Sequence, residues 1–255
     1  MDLIVLGAGP AYTDRQGSAG ACYLVRAGDA RILLDMGQGA FPRIFPEVRP
    51  ETLDGVFVSH LHPDHFIDLV PLRHYLRWEF RPGRRVRVFG PSGLGARLNA
   101  LHGDANFTAA ALDVEALRHG GTIQVGALAV EARMVAHTSE SYGFRVSAGA
   151  GPGLVYSGDC GRADDLLPLI RPGDTLLAEV AFGPGPVEPG AMHLDGPMVG
   201  RVAELSGAGR VLLTHLMMAY DPDETIASVR REYRGPVEFV WPGSRVTIDR
   251  SVTAS

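Results

Sequence analysis

A cluster of metal-binding side chains at the end of a predicted strand restricts the fold of this chain more than any other feature. The apolar segment 55–58 is bounded by turn residues and predicts a short buried strand. Residues 59–65 then read Ser-His-Leu-His-Pro-Asp-His, in which the groups able to bind a metal are His60, His62, Asp64 and His65. In so tight a turn, alternate residues can face one point while the last two face a second. Imidazole and carboxylate together suit zinc or a similar divalent ion, so we predict a metal site rather than a solvated polar loop.

The composition is that of an ordinary globular chain. Its 255 residues are 45% apolar and 21% charged, which allows one large domain or two small ones. The formal net charge of −5 offers no general attraction to nucleic acid or to an anionic membrane. All 24 basic residues are arginine, which excludes a Schiff-base lysine and a P-loop lysine.

The cysteines and the N-terminal segment bear on the cellular compartment. Cys22 and Cys160 are far apart in sequence and indicate neither a disulfide framework nor a thiolate zinc site. The first apolar run follows no basic segment and is too short for a signal peptide. No stretch approaches the roughly 20 apolar residues of a membrane span. We therefore expect a cytoplasmic protein with no membrane partner.

The first predicted strand, residues 3–6, ends in Gly-Ala-Gly-Pro at positions 7–10. A dinucleotide-binding turn would need a further glycine at position 12, where the chain has Tyr12, and Pro10 makes a poor phosphate cradle. Dinucleotide binding is therefore disfavoured. A predicted hairpin of residues 22–26 and 31–35 follows. It ends at Asp35, which is either a helix cap or the acceptor that holds a histidine ligand.

Residues 64–80 carry apolar side chains at helical spacing and predict a helix that Pro71 can kink. Asp68 lies one helical turn after His65, where it either orients that histidine or is simply a solvated acid. Further along the chain we expect a short helix at 114–117, a helix at 163–170 and a last strand at 237–240.

A basic and aromatic patch lies at the end of the first predicted helix. Its members are Arg77, Trp78, Phe80, Arg81, Arg84, Arg85 and Arg87. Such a patch can hold a phosphate, a base or both. A solvated face is the favoured interpretation, because runs of charge on a helix are usually exposed.

Candidate ligands also follow other predicted strands. Four lie at or just after the end of an apolar run: His60, His137, Asp159 and His215. The strand ends of one sheet can meet across large gaps in sequence, so these four can form one cluster. A single histidine after a strand is usually structural, but four strand-end ligands in one chain favour a common site.

These segments resemble the metallo-β-lactamase-fold hydrolases, and among them the branch of ribonuclease Z-like enzymes and cyclic-nucleotide phosphodiesterases. The resemblance covers nearly the whole chain. It rests on the His-x-His-x-Asp-His run and on Leu34-Asp35-Met36-Gly37, Ala136-His137, Ser141-Tyr142-Gly143-Phe144, Tyr156-Ser157-Gly158-Asp159, Ala191-Met192-His193-Leu194 and Leu213-Thr214-His215. It implies an α/β fold, a four-layer αββα sandwich formed by a single domain, residues 1–255. Two halves, roughly 1–120 and 121–255, would meet at a metal site along the sheet edges.

The resemblance also implies ligands for two divalent ions, zinc by expectation and manganese or iron as alternatives. One ion would be held by three histidines, the second by two histidines and an aspartate, and one aspartate would bridge them: His60, His62 and His137; Asp64, His65 and His215; and Asp159.

Two ions about 3.5–4 Å apart lower the pKa of a shared water, and the metal-bound hydroxide would attack phosphorus in line. Asp64 would orient or deprotonate this water. His193 would protonate the leaving alkoxide, although it could instead cap the following helix or contact the substrate passively. Cys160 stands where threonine is common after the bridging aspartate. We interpret it as a small buried residue rather than a redox-sensitive one.

The expected activity is hydrolysis of a small phosphodiester, such as a cyclic nucleotide. The alternatives are a ribonuclease Z-like tRNA 3′-processing endonuclease and a lactone or thioester hydrolase. RNA is disfavoured because residues 138–158 suffice only for two strands and a turn, where bacterial ribonuclease Z carries an RNA-gripping arm. A β-lactamase is disfavoured by Asp159, and a purely structural metal module by the open ligand set. The expected partners are a small-molecule phosphodiester and, since relatives are often dimers, a second copy of the chain.

Overall fold

The computed structural model describes residues 1–248, so the end of the predicted domain, residues 249–255, lies outside the described part. Two seven-stranded sheets face each other, with helices on their outer faces. This arrangement confirms the predicted four-layer αββα sandwich.

The strands vary in length from three to seven residues. In chain order they are β1 (Asp2–Gly7), β2 (Cys22–Ala27), β3 (Ala30–Leu34), β4 (Gly55–Phe57), β5 (Val86–Gly90), β6 (Leu112–Ala116), β7 (Gly121–Val125), β8 (Leu128–Met134), β9 (Tyr142–Ser147), β10 (Leu154–Tyr156), β11 (Thr175–Glu179), β12 (Arg210–Thr214), β13 (Val237–Phe239) and β14 (Arg245–Thr247).

The α-helices lie between strands in the sequence, and some of them are only one turn long. They are α1 (Phe41–Ile44), α2 (Pro63–Phe66), α3 (Leu69–Trp78), α4 (Leu94–His102), α5 (Gly196–Ser206) and α6 (Pro222–Arg230). Short 3₁₀ helices cover Pro50–Thr52, Thr108–Ala110 and Ala163–Leu166. Within residues 1–248, no helix has both the length and the apolar character needed to cross a bilayer.

The first sheet has the strand order β14-β1-β2-β3-β4-β5-β6, and the second has β13-β12-β11-β10-β9-β8-β7. In the first sheet β3 to β6 are parallel, and in the second β10 to β13 are parallel. Because the chain leaves neighbouring parallel strands at one edge of the sheet, each sheet collects several strand exits at that edge. The last described strand, β14, pairs with β1 and so joins the sheet formed by the N-terminal half.

The alternation of side chains explains why these apolar runs form strands that are buried on both faces. In β1, Leu3 and Val5 pack in the core between the two sheets, whereas Ile4 and Leu6 pack against the outer helices of the first half. A run of consecutive apolar residues is therefore satisfied on both sides. Each such fully buried side chain contributes about 1.5–3 kcal/mol to the free energy of folding.

Aromatic side chains fill the space between the sheets close to the strand exits. Phe57 stacks on Phe89 with a centroid distance of 4.7 Å and meets Phe144 edge-on at 6.0 Å. Tyr23 and Tyr156 contact each other at 5.0 Å between ring centroids. This dense packing fixes the ends of β4 and β10, from which two of the candidate ligands project.

The structure corrects several predicted elements. The predicted helix 64–80 consists of α2 and α3, and the break lies at residues 67–68 rather than at Pro71. Pro71 occupies the first turn of α3, where a missing N–H removes no helical hydrogen bond. The predicted helix at 114–117 is wrong: these residues lie in and just after β6, where pairing with β5 overrides local preference. The helix expected at 163–170 is only a 3₁₀ turn, and β14 was not predicted.

Candidate metal centre

The strand-end ligands predicted from the sequence lie together in the structure. His60 follows β4, His137 follows β8, Asp159 follows β10 and His215 follows β12. Asp159 Oδ2 lies 3.6 Å from His60 Nε2, 3.6 Å from His137 Nε2 and 3.5 Å from His215 Nε2. One carboxylate oxygen is thus surrounded by histidines from both sheets.

A first group of potential ligands consists of His60, His62, His137 and Asp159. His60 Nε2 lies 3.0 Å from His62 Nδ1, which lies 3.1 Å from His137 Nε2. Ligand nitrogens about 2.0–2.1 Å from a common zinc ion would be separated by roughly 3–3.4 Å. The observed separations therefore match those expected around one ion.

A second group consists of Asp64, His65, Asp159 and His215. His65 Nε2 lies 3.3 Å from Asp159 Oδ1 and 3.6 Å from Asp64 Oδ2. His215 Nε2 lies 3.8 Å from the same Asp64 oxygen. Asp159 belongs to both groups and presents an oxygen to each, so the structure brings all seven predicted ligands into two overlapping clusters.

Hydrogen bonds leave the facing nitrogens of the histidines free to act as lone-pair donors. His137 Nδ1 donates to the Met192 carbonyl at 2.6 Å, and His60 Nδ1 lies 3.0 Å from the Ser59 hydroxyl. The Nε2 atoms of both rings then carry lone pairs, as metal binding requires. Burial, followed by the charge of His65, holds the pKa of His60 well below its ordinary value, which favours the neutral ligand form.

Three buried side-chain atoms at the centre have no hydrogen-bond partner among residues 1–248, namely His65 Nε2, Asp159 Oδ1 and His215 Nδ1. Such orphaned polar atoms cost about 1–3 kcal/mol each unless another group satisfies them. Burial alone would raise the pKa of Asp159, but the charges of His215 and His65 outweigh it and hold that pKa well below its ordinary value. An ionised carboxylate and converging imidazole nitrogens are the donors that divalent cations prefer, so the residues present fit a metal ion.

Asp35 supports the second group from beneath. Its Oδ2 accepts hydrogen bonds from His65 Nδ1 at 2.7 Å, from the Tyr156 hydroxyl at 2.7 Å and from the Ser59 hydroxyl at 2.8 Å. Its Oδ1 accepts the Ser59 N–H at 2.6 Å. Of the two interpretations open from the sequence, Asp35 is therefore the acceptor that holds a histidine, which fixes the ring so that Nε2 faces the cluster.

Backbone strain is concentrated at this centre. Within residues 1–248, the non-glycine residues with a left-handed backbone are Asp35, at φ 57°, and His215, at φ 59°. Such conformations cost about 1–3 kcal/mol and persist where the surroundings enforce them, often at functional sites. Gly37 allows the loop after β3 to approach the loop of residues 59–65, because a Cβ at position 37 would lie 1.9 Å from the Asp64 carbonyl oxygen.

Replacing Asp35 by asparagine is expected to weaken metal binding about 10- to 100-fold, because the amide cannot accept all four hydrogen bonds and His65 loses its fixed orientation. Competition with a chromophoric chelator would measure this affinity. Asp68→Asn is the matched control, since Asp68 Oδ2 accepts the Phe41 N–H at 2.8 Å and joins neither ligand group. Equal affinity in wild type and Asp35→Asn, with both proteins folded by circular dichroism, would contradict this role.

Glu179 is a site residue that the sequence analysis did not identify. It is the last residue of β11 and only 1% exposed. Its Oε1 accepts hydrogen bonds from His193 Nδ1 at 3.0 Å and from the N–H groups of Cys160 and Leu194 at 3.1 Å each. Its Oε2 accepts the Ala181 N–H at 2.9 Å. The signal was present, since Glu179 ends an apolar strand as Asp159 follows one, and β10 and β11 are parallel neighbours.

His193 lies beside the cluster without joining the two groups of predicted ligands. Its Nδ1 is 4.0 Å from Asp159 Oδ2, and it combines with Asp159 and Glu179 in a third group of potential ligands. Burial alone would lower the pKa of His193, but the hydrogen bond and charge of Glu179, followed by the charge of Asp159, raise it to about 9. His193 does not cap the next helix, because Asp195 accepts the Met198 N–H at 2.9 Å and fills that position.

The arginine-rich patch is partly neutralised within the fold. Arg85 hydrogen-bonds Asp113 on β6, and Arg87 Nη2 lies 3.2 Å from Glu115 Oε1. Neither arginine lines the cavity that contains the predicted ligands.

Cys160 is fully buried, and its thiol donates to the Arg162 carbonyl at 3.1 Å. Burial raises the pKa of this thiol well above its ordinary value, which keeps it unreactive.

A cavity of about 340 Å³ opens directly onto the predicted ligands. Its lining combines the polar side chains of the cluster with an apolar wall, and consists of Pro10, Ala11, Tyr12, His62, Pro63, Asp64, Asp159, Ala181, His193, His215 and Met217. The centre is therefore accessible to a small molecule rather than sealed, as a purely structural metal site would be.

A protein-family model described as the beta-lactamase superfamily domain matches residues 30–216, which include every residue of the cluster. The chain belongs to the metallo-β-lactamase-fold superfamily. The resemblance predicted from the sequence motifs is thus confirmed, together with the general class of metal-dependent hydrolase.

Relatives in this superfamily span nearly the whole chain. An uncharacterized protein of Mycobacterium leprae is 34% identical over 232 residues, which cover 89% of this chain and 81% of the relative. The probable metallo-hydrolase YhfI of Bacillus subtilis is 28% identical over 226 residues, covering 87% and 91%. Ribonuclease Z of Myxococcus xanthus is 24% identical over 280 residues, covering 88% and 90%.

A solved structure of one of these relatives has a similar fold. The crystal structure of YhfI from Bacillus subtilis matches with a TM-score of 0.86 and 24% sequence identity over 96% of this chain and 99% of that chain. At this level of identity the likeness shows the fold of a metallo-β-lactamase-superfamily protein, and function must be argued from the site.

Proposed function

We propose that this chain is a phosphodiesterase that uses two divalent metal ions to hydrolyse a small phosphodiester such as a cyclic nucleotide. The observation that carries the proposal is the pair of ligand groups that share Asp159, together with the neighbouring His193, which is hydrogen-bonded to the buried Glu179. Phosphodiester hydrolysis needs both features, because charge develops on the phosphoryl oxygens and the departing alkoxide must gain a proton.

Each ligand group would hold one ion, with zinc the expected metal because imidazole and carboxylate are its usual ligands. The first ion would bind the group of three histidines, the second the group that contains Asp64, and Asp159 would bind both. When bound, two such ions supply an activated water and offset negative charge on the phosphoryl group.

The chain's own residues would position the reacting groups and move the protons. Asp64 faces both His65 and His215 and lines the cavity, where its carboxylate can accept a hydrogen bond from the attacking water. His193 donates Nδ1–H to Glu179, so Nε2 is the ring nitrogen that remains to deliver a proton. As the new P–O bond forms and the bond to the leaving oxygen breaks, that proton would pass from Nε2 to the leaving alkoxide.

Two observations support a small substrate rather than RNA. Residues 138–158 are taken up by β9, β10 and their connections, so the extended arm expected of a bacterial ribonuclease Z does not occur there. The cavity volume of about 340 Å³ is near the lower end of ligand pockets, which span roughly 300–1,000 Å³. The similarity to ribonuclease Z supports phosphodiester hydrolysis. The cavity volume favours a single nucleotide as the substrate.

The proposal is tested by hydrolysis of 3′,5′-cyclic AMP with protein reconstituted with zinc or manganese. We expect turnover that His193→Ala largely removes. His102→Ala should leave it unchanged, because His102 is exposed and lies outside both ligand groups. Cleavage of bis(p-nitrophenyl) phosphate without cleavage of cyclic AMP would contradict the cyclic-nucleotide substrate and keep the diesterase chemistry. Hydrolysis of neither compound, with lactones or thioesters cleaved instead, would overturn the proposal.

A further inference from the structure

An aromatic side chain that none of the predicted functions uses stands at the mouth of the cavity. Tyr12 is 66% exposed and lines the same cavity as Asp64 and His193. Isolated exposed apolar residues are common and need no explanation by themselves. The position of this ring against the metal centre is what distinguishes it from the other exposed aromatic residues, such as Trp78 at 63% exposure.

The segment that carries this ring, residues 10–18, which we call the strap, is tied down on both sides. On one side the Gln38 amide donates to the carbonyls of Pro10 and Ala11, at 3.4 and 3.3 Å. On the other, Arg15 donates to the Leu216 carbonyl at 3.0 Å and lies over the Trp241 ring at 5.4 Å. The strap thereby joins the two halves of the fold, and its anchored ends pre-organise Tyr12 at the cavity.

The wall beside Tyr12 is apolar although the floor is a cluster of ligands. Pro10 and Ala11 come from the strap, whereas Ala181 and Met217 come from the connections after β11 and β12. A phosphate at the centre would therefore have an apolar group of the substrate next to it. A volume of about 340 Å³ suits one compact planar group.

We propose that Tyr12 stacks on the nucleobase of the substrate and is the residue that makes the site prefer nucleotides over other phosphate esters. This inference rests on the proposed phosphodiesterase function, since it places the phosphate of the same molecule at the ligand cluster. A tyrosine ring suits this task because every nucleobase presents a π-face, and such stacking tolerates different bases.

The test compares the binding of adenosine 5′-monophosphate with that of ribose 5-phosphate, which has the same phosphate and sugar but no base. Isothermal titration calorimetry on the metal-reconstituted protein would give the two dissociation constants without any need for turnover. We expect the wild type to bind the nucleotide more tightly, and Tyr12→Ala to reduce this preference about tenfold or more. Tyr12→Phe should keep it, because the ring rather than the hydroxyl makes the stack, and Trp78→Ala should leave it unchanged.

A preference for the nucleotide that Tyr12→Ala leaves intact would overturn the inference, as would equal binding of the two probes by the wild type. These outcomes are separate from failure of the proposed function, which is judged by hydrolysis of diesters. An enzyme that cleaves diesters but ignores the base would keep the phosphodiesterase proposal and contradict the role of Tyr12.

Discussion

Asp159→Asn is expected to lower turnover about 1,000-fold or more and to reduce the bound metal to at most one equivalent. The carboxylate belongs to both ligand groups, and its Oδ2 lies within 3.6 Å of three histidine nitrogens. Replacing one oxygen by an amide nitrogen removes the negative charge that both ions would share. Loss of several kcal/mol of charge stabilisation corresponds to three or more factors of ten in rate. Metal content by mass spectrometry and steady-state kinetics would measure the two effects.

Asp164→Asn is the matched control for this change, because Asp164 is an exposed acid a few residues further along the chain and belongs to neither ligand group. It should retain full metal content and full activity. The substitution at Asp159 keeps the side-chain shape, so circular dichroism should show a folded protein. If Asp159→Asn retained two metal equivalents and normal turnover, the shared-ligand arrangement would be wrong.

His193→Ala is expected to lower turnover of cyclic AMP by about 100- to 10,000-fold while metal content stays unchanged. The loss should depend on the leaving group. An alkoxide needs a proton to depart, whereas a nitrophenolate is stable without one, so bis(p-nitrophenyl) phosphate should be much less affected. A loss of equal size for both substrates would instead indicate a structural or binding role for His193.

The pH dependence supplies the control for this second prediction. His193 acts as an acid only while protonated, and with its pKa near 9 the rate should hold up to about that pH and fall above it. Glu179→Gln removes the charge that raises this pKa, so the pKa moves down towards the ordinary histidine value of about 6.5. The alkaline limb of the rate profile should therefore shift to lower pH. An unshifted limb in folded Glu179→Gln would contradict the pairing of these two residues.

The sequence was sufficient to predict that the candidate ligands lie together, because four of them follow a simple rule of strand exits. Asp159 and His215 each follow an apolar run, and such runs can form parallel neighbours whose ends meet. Glu179 obeys the same rule and was overlooked, because it lies at the last strand position and has no other ligand near it in sequence. The candidate histidine ligands of residues 59–65 lie so close in sequence that their convergence follows from local geometry alone.

Other features depend on tertiary contacts that no local pattern reveals. Residues 112–116 form a strand because they pair with β5 in parallel, which outweighs their own secondary-structure preference. From the sequence alone, Tyr12 indicates only that residues 7–12 do not form a dinucleotide-binding glycine turn. Its place at the cavity follows from the hydrogen bonds that anchor the strap to Gln38 and, through Arg15, to Leu216, two residues from different parts of the chain.

The number of metal ions bound per active chain tests the central claim most directly. Apoprotein prepared with a chelator should be inactive towards phosphodiesters and should regain full activity as two equivalents of zinc or manganese are titrated in, with mass spectrometry confirming two ions per chain. Full activity at a single equivalent, or activity that survives complete removal of metal, would contradict the shared two-ion centre at Asp159.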